Sequence, residues 1–178
     1  MRFTETSLPG ALLIELEPHT DTRGFFARSF CRNEMTSHGL SGVVAQCNTA
    51  FTHRAGTVRG LHYQIAPAAE AKLVRCIRGA IYDVIADLRP ESPTYLEHLG
   101  VELTAENRRQ LFVPEGFAHG YQTLTDNVEV IYLVSELHAP DCEAGLRHDD
   151  PVLQLRWPLP VTLISAKDCN WPLLDSSK

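Results

Sequence analysis

The segment Gly56-Thr-Val-Arg-Gly-Leu-His62-Tyr-Gln64 is the most informative stretch of the chain. Lys72 follows it closely, and Pro114-Glu-Gly-Phe-Ala-His119-Gly lies further along. Both segments have strand-like sequence, and successive side chains of a strand point to opposite faces of a sheet. The pattern therefore predicts a polar site, with two histidines and two cations, built on β-structure.

Short apolar and β-branched runs recur along the whole chain with turn signals between them. The runs are Ala11–Leu16, Leu73–Ile77, Ile81–Leu88, Leu111–Val113, Val128–Val134 and Val161–Ile164. This pattern predicts an all-β sandwich or barrel, with a short peripheral helix around Asn33–His38. No repeat of about 20–50 residues supports a propeller or solenoid, so a jelly roll fits best.

The composition limits the class of protein. The 178 residues and 44% hydrophobic content suit one domain, 1–178, with a substantial core. A formal net charge of −6 argues against general attraction to nucleic acid. Five widely spaced cysteines without a Cys-x-x-Cys pair indicate a reduced, cytoplasmic protein. The first residues lack a long apolar segment and no run approaches ~20 apolar residues, so neither secretion nor a membrane association is expected.

Further motifs occur in a fixed order along the chain. They are Asp21-Thr-Arg-Gly-Phe-Phe26, Gln46-Cys-Asn48, Asp87-Leu-Arg89, Ser92-Pro-Thr94, Tyr132, Asp149-Asp-Pro151 and Ser165-Ala-Lys-Asp168. With the two histidine segments, they resemble the dTDP-4-dehydrorhamnose 3,5-epimerase family over nearly the whole chain. The resemblance implies a cupin-like double-stranded β-helix, a homodimer with N-terminal strand exchange, a nucleotide-diphosphate sugar as substrate and no cofactor.

His62 is the candidate catalytic base. A strand over residues 58–64 would place Arg59 on the opposite face from His62. Histidine suits proton abstraction because its unperturbed pKa is about 6.5. A single histidine is more often a hydrogen-bonded structural residue, and Asp168 alone would be taken for a surface carboxylate. The resemblance instead implies that Asp168 fixes the tautomer of His62.

Tyr132 and Lys72 complete the expected catalytic set. Alternation places Tyr132 on the same face as three valines, which fits a core tyrosine, whereas the resemblance implies the general acid opposite the base. Lys72 either snorkels outward from its apolar strand or, as the resemblance implies, faces the substrate and stabilises an enolate. Asp83 is a candidate salt-bridge partner of Lys72 or an ordinary hairpin charge.

Candidate ligand contacts are spread along the chain. Arg23 and Arg59 suit a diphosphate, because guanidinium groups donate bidentate hydrogen bonds to phosphate oxygens. The resemblance implies further contacts at Gln46, Asn48, His119, Glu143 and Lys167.

Three departures from the family pattern bear on the substrate. They are Thr52 in a longer loop, Arg28 where a glutamate is common, and His138 where a tyrosine is common. Arg28 and His138 are kept as ligand-contact candidates. His138 either alters reprotonation at one carbon or only packs beside the sugar, and a monofunctional C3 or C5 epimerase of a related dTDP or CDP sugar stays open.

The segment from Pro114 to His119 also matches half of a cupin metal signature. The other half normally supplies His-x-His, but the chain has His62-Tyr-Gln64, so no metal site is expected. A metal-dependent cupin enzyme and a noncatalytic sugar-nucleotide-binding cupin are the alternatives of another class. The main prediction is a cofactor-independent epimerase acting at C3 and/or C5 of a 4-keto-6-deoxy sugar, in deoxysugar biosynthesis. Its expected substrate is dTDP-4-dehydro-6-deoxy-D-glucose.

Overall fold

The computed structural model describes residues 1–174, and the last residues of the expected domain, 175–178, lie outside the described residues. The strands are β1 (Arg2–Glu5), β2 (Leu12–Glu15), β3 (His19–Asp21), β4 (Gly24–Phe26), β5 (Gln46–Thr52), β6 (Val58–Gln64), β7 (Lys72–Arg78), β8 (Ala80–Asp87), β9 (His98–Thr104), β10 (Gln110–Val113), β11 (Phe117–Thr123), β12 (Val128–Val134) and β13 (Glu143–Gly145). The helices are α1 (Arg32–Ser37) and α2 (Ala166–Cys169), and Pro140–Cys142 form a 3-10 turn. Within residues 1–174 no helix has the length and apolar character needed to cross a membrane.

Two large antiparallel sheets pack face to face. One has the order β1-β2-β10-β7-β12-β5 and the other the order β13-β6-β11-β8-β9, while β3 and β4 pair as a separate hairpin. Val74 and Val130 of the first sheet share a buried cluster with Ile85 and Phe117 of the second. This is the predicted all-β, cupin-like jelly roll, and the predicted fold class is confirmed.

The outer face of each sheet is covered as well. Met35 of α1 packs on Ile14 and Phe112 of the six-stranded sheet. Leu146 and Leu153, which follow β13, pack on the outer face of the five-stranded sheet. Because β11 is the middle strand of that sheet, all seven of its residues are buried. Side chains on β11 and its neighbours therefore have little freedom to move, which suits a site that needs fixed geometry.

Most of the predicted elements are present with small shifts at their ends. The helix begins at Arg32 rather than Asn33. The predicted strand Val161–Ile164 is wrong, since the segment makes one isolated bridge, from Leu163 to Thr57. Pro160 donates no backbone hydrogen bond, and Val161 and Leu163 are 38% and 58% exposed. An apolar run is therefore not enough to make a strand where no sheet face buries it.

Candidate active site

A cavity of about 170 Å³ is lined by residues of both large sheets. The lining residues are Ala50, Arg59, His62, Lys72, His119, Gly120, Tyr121 and Tyr132. The structure thus brings together predicted site residues from β6, β7, β11 and β12, which are distant in sequence. These side chains can therefore contact a single ligand in the cavity.

The register between β6 and β11 shifts beside His62. His119 lies opposite His62, but Tyr121 lies opposite Arg59, so three residue steps on β6 match two on β11. Such a β-bulge turns the side chains beyond it to the other face. The predicted separation of Arg59 from His62 is therefore wrong, since both line the cavity. Gly60 is required here because its φ is +113° and a Cβ would lie 2.7 Å from the carbonyl oxygen of His119.

His62 is hydrogen bonded to Asp168. Nε2 of His62 lies 2.6 Å from Oδ1 of Asp168, and Oδ2 accepts a hydrogen bond from the backbone N–H of Gly60 at 3.3 Å. Asp168 is held in place because Ser165 caps α2, its Oγ accepting from the backbone N–H of Asp168 at 3.0 Å. When Nε2–H is donated to the carboxylate, the lone pair of the neutral imidazole is on Nδ1. Nδ1 is therefore the nitrogen available to take a proton.

The surroundings favour a neutral imidazole and an ionised carboxylate. Burial lowers the pKa of His62 below its ordinary value and outweighs the hydrogen bond to Asp168, which acts to raise it. Burial acts to raise the pKa of Asp168, but the hydrogen bonds from His62 and Gly60 hold it below its usual range. At neutral pH the pair is thus ready to accept a proton rather than to give one.

Lys72 extends from β7 into the cavity and is only 8% exposed. Its ammonium lies 3.2 Å from Oε1 of Glu70 and donates a hydrogen bond to the carbonyl oxygen of His62 at 3.3 Å. The predicted pairing of Lys72 with Asp83 is wrong. Asp83 lies on the opposite sheet, on β8, where its Oδ1 is 2.8 Å from Nε2 of His119 on the neighbouring β11.

Tyr132 reaches the cavity from β12, where it lies opposite Asn48 of β5. The ring packs against the central core cluster. Burial raises the pKa of Tyr132, the charge of Glu70 raises it further, and Arg59 opposes both. The phenol therefore keeps its proton at neutral pH, as a proton donor must.

Four other candidate residues form two pairs, and none of the four lines the cavity. The carboxamide oxygen of Gln46 accepts a hydrogen bond from the backbone N–H of His138 at 2.7 Å. Nζ of Lys167 lies 2.6 Å from Oε1 of Glu143. Burial acts to raise the pKa of Glu143, but Lys167 and, more weakly, His62 and His138 hold it below its usual range. These pairs therefore belong to the same polar region as the base.

The family model described as dTDP-4-dehydrorhamnose 3,5-epimerase matches residues 5–176. The chain belongs to this epimerase family. A dTDP-4-dehydrorhamnose 3,5-epimerase from Methanothermobacter thermautotrophicus is 46% identical to it over 173 residues, 96% of this chain and 92% of the relative. Membership of the family makes the chain an isomerase.

Solved structures of epimerases superpose on nearly all of this chain. The dTDP-4-dehydrorhamnose 3,5-epimerase of Bacillus anthracis, with TDP and PPi bound, is 41% identical and has a TM-score of 0.93, with 97% of this chain and 99% of that chain covered. The epimerase of Legionella pneumophila, in complex with dTDP-4-keto-L-rhamnose, is 34% identical and has a TM-score of 0.90, with 97% and 92% covered. The jelly roll described above is therefore the epimerase fold.

Two predicted ligand contacts of this epimerase lie apart from the cavity wall. Arg23, in the β3–β4 hairpin, is paired with Asp21 at 2.6 Å, and its side chain is 89% exposed. Arg28 is paired with Glu34 of α1 at 2.8 Å. Neither residue lines the cavity. Their contact with a ligand stays a prediction.

Two residues of the site were missed from the sequence. Tyr121 lines the cavity, and burial raises its pKa to about 12. A signal was available, because Tyr121 follows His119 by two residues and i and i+2 share a face of a strand. Glu70, the partner of Lys72, lies in the segment between β6 and β7. A connecting segment has no periodicity from which the direction of a side chain can be predicted.

The two histidines of the cavity each point one nitrogen at a carboxylate. Nε2 of His62 faces Asp168, and Nε2 of His119 faces Asp83. In the described range, 1–174, no group of three or more His, Cys, Asp or Glu side chains is arranged to hold a metal ion. Metal independence stays a prediction, which chelation tests.

Proposed function

We propose that the chain epimerises dTDP-4-dehydro-6-deoxy-D-glucose at C3 and C5, without a cofactor, in deoxysugar biosynthesis. One observation carries the proposal. The hydrogen-bonded pair of His62 and Asp168 meets a cavity that Lys72 and Tyr132 also line. A base with its orienting carboxylate, a cation and a phenol are the groups that proton transfer next to a ketone requires.

The first step is removal of the proton on the carbon beside the C4 ketone. The ketone makes this C–H acidic, because the electrons of the broken bond move into an enolate. Nδ1 of His62 takes the proton, and Asp168 stabilises the imidazolium that forms. The buried setting that keeps His62 neutral beforehand supports this role.

The second step returns a proton to the opposite face of the same carbon. Lys72 donates a hydrogen bond to the enolate oxygen and stabilises its negative charge, a contribution that is usually large in an enclosed site. Tyr132 gives its proton to the carbon, the C4 ketone is restored and the configuration inverts. The raised pKa of Tyr132 supports a donor that is protonated when needed.

The nucleotide is expected to bind through cations and polar groups around the sugar. Arg59 offers a guanidinium group in the cavity wall, and Arg23 and Arg28 are the exposed candidates for the diphosphate. The bound TDP of the Bacillus anthracis relative supports a thymidine nucleotide. The same role is proposed for Gln46, Asn48, His119, His138, Glu143 and Lys167.

We also infer that residues 1–178 act as one domain in a cytoplasmic homodimer. Phe25 and Phe26 of the β3–β4 hairpin are 47% and 74% exposed, which supports burial against a second copy. Light scattering at micromolar concentration is expected to give about twice the 19.9 kDa mass of one chain. A monomer at that concentration would remove the inference.

The test of the reaction is incubation of chelator-treated protein with dTDP-4-keto-6-deoxyglucose in deuterated water, read by NMR. We expect deuterium at both C3 and C5, with inversion at each. Exchange at one carbon would indicate a monofunctional epimerase, and binding without exchange a noncatalytic protein. Activity that disappears on chelation and returns with a divalent ion would favour a metal-dependent enzyme.

A further inference from the structure

Trp171 packs against the proposed base beside the cavity. It follows α2, and its ring centroid lies 6.2 Å from that of His62 with an angle of 67° between the planes. This is an edge-to-face contact. Trp171 is not among the residues that line the cavity. Its contact with the site is therefore made through the ring of His62.

Gly145 makes room for the indole beside His62. In the pairing of β13 with β6, Gly145 lies directly opposite His62. A Cβ at Gly145 would lie 2.3 Å from Cε2 of Trp171 and 2.5 Å from its Nε1. The φ of Gly145 is not positive, so the backbone conformation does not require glycine. The space that the indole occupies accounts for glycine at this position.

Lys167 also lies beside the indole. Nζ of Lys167 lies 5.5 Å from the centroid of the Trp171 ring and is paired with Glu143 at 2.6 Å. Nε1 of Trp171 is buried and has no hydrogen-bond partner among residues 1–174. A buried indole normally satisfies this donor. The contacts described for the ring are therefore those with Lys167 and His62.

We propose that Trp171 is a positioning residue for His62, holding the imidazole against Asp168 and keeping water from the pair. The inference rests on the proposed role of His62 as the base. α2 carries Asp168, and Trp171 lies two residues beyond its end, so one short segment supplies both the carboxylate and the shield. Removing the indole would let the imidazole rotate and let water reach the hydrogen bond between the two residues.

The expected pH effect has a definite sign. Burial is the main cause of the lowered pKa of His62, while Asp168 and Glu143 act to raise it and Lys72 acts to lower it. The further ionisable groups around His62 are His119, directly opposite on β11, and Arg59, Tyr121 and Tyr132 in the cavity wall, with Lys167 beside Glu143. Trp171→Ala removes part of the burial and leaves these groups in place. The pKa of His62 then rises, and the acid limb of kcat/KM moves to higher pH.

The test is the pH profile of Trp171→Ala together with an NMR titration of the His62 ring. We expect kcat to fall by roughly ten- to a hundredfold, because a slightly misplaced base is costly, while KM is unchanged. Trp157→Phe is the matched control. Trp157 packs on the outer face of the five-stranded sheet, away from His62, and its Nε1 donates to the carbonyl oxygen of His148 at 2.9 Å. Its profile and titration are expected to equal those of the wild type.

A wild-type titration of His62 in Trp171→Ala, or an equal shift in Trp157→Phe, would overturn the proposal. If Trp171→Ala does not fold, Gly145→Ala carries the same test, since the added methyl group displaces the indole and is expected to shift His62 in the same direction. The titration needs no activity. A failure of His62 as the base would show separately, as exchange retained by His62→Asn, and would leave the contact itself testable.

Discussion

Two buried carboxylates of this epimerase make opposite use of their hydrogen bonds. Asp87, at the end of β8, accepts from Nε and Nη2 of Arg89 at 2.8 and 2.7 Å, from Oγ of Ser92 at 2.6 Å and from Oγ1 of Thr94 at 2.8 Å. Asp168 holds the imidazole of His62, whose Nδ1 carries the remaining lone pair. All the hydrogen bonds of Asp87 are thus used to hold its surroundings together. The hydrogen bond of Asp168 leaves Nδ1 of His62 able to accept a proton.

The difference separates a structural motif from the proposed catalytic one. Both carboxylates lie in motifs shared with the family, so motif matching alone gives them equal weight. Arg89 also donates to the carbonyl oxygen of Pro9 at 2.9 Å and lies over the ring of Phe117. The Asp87 network therefore ties the end of β8 to the N-terminal segment, whereas Asp168 serves a cavity. The lone pair on Nδ1 of His62, rather than the presence of a shared motif, therefore identifies the proposed reactive group.

The largest expected effect is that of Asp168→Asn on catalysis. The substitution removes the charge that stabilises the imidazolium and favours the wrong tautomer of His62, so kcat is expected to fall by about 10²- to 10⁴-fold. Circular dichroism and the melting temperature should be close to those of the wild type. Initial rates followed by NMR check the prediction, and a variant with wild-type kcat would erase the distinction between the two carboxylates.

Asp87→Asn is expected to have the opposite result. Breaking a buried charged network costs about 3 kcal/mol of the free energy of unfolding, while kcat per folded molecule is unchanged. Urea denaturation measures the stability. Asp149→Asn is the matched control, because Asp149 is half exposed and pairs with Arg147 at 2.7 Å, so its loss is expected to cost less than about 1 kcal/mol. Equal costs would contradict the structural role of Asp87.

The pH dependence of stability sharpens the same contrast. Burial acts to raise the pKa of Asp87, but Arg89, Ser92 and Thr94 hold it far below its usual range. A carboxyl with a depressed folded-state pKa contributes stability that is present above its unfolded pKa, about 4, and is lost as the pH falls below it. Wild-type stability should therefore decline below about pH 4, and Asp87→Asn should flatten that decline.

A smaller effect is expected from Glu70→Gln. Burial is the main cause of the raised pKa of Tyr132, and the charge of Glu70 adds to it. Without that charge the pKa of Tyr132 falls, the phenol loses its proton at lower pH, and the alkaline limb of kcat moves down. Glu115→Gln, at an exposed position, is the control and should leave the profile in place. An unmoved limb in Glu70→Gln would show that Glu70 does not act on Tyr132.

The smallest effect is expected at His138, which is exposed and linked to the site through its backbone N–H. We expect unequal deuterium exchange at C3 and C5 in the wild type, with a more equal ratio in His138→Tyr, because imidazole has a shorter reach than a phenol. NMR integration of the two positions provides the measurement. An identical ratio in both proteins would mean that residue 138 only packs beside the sugar.

The sequence predicted the jelly roll because regular alternation and turn residues are local signals. Tyr132 was correctly placed at the core face for this reason. The joint position of Arg59 and His62 was not predictable, since a single bulge at Gly60 reverses the face. The partner of His119 depends on which strands are neighbours in the sheet, and the contact of Lys72 with His62 depends on which sheets face each other. Trp171 lies in an irregular segment. Its contact with His62, more than a hundred residues earlier in the chain, could not be predicted from local sequence.

The most direct test of the central claim is solvent exchange by His62→Asn. The variant should fold normally, yet incorporate deuterium at C3 and C5 about 10²- to 10⁴-fold more slowly than the wild type. Adding Asp168→Asn should cost little more, because the two residues act as a unit. Deuterium incorporation by His62→Asn at the wild-type rate would contradict the claim that the free nitrogen of this pair is the base.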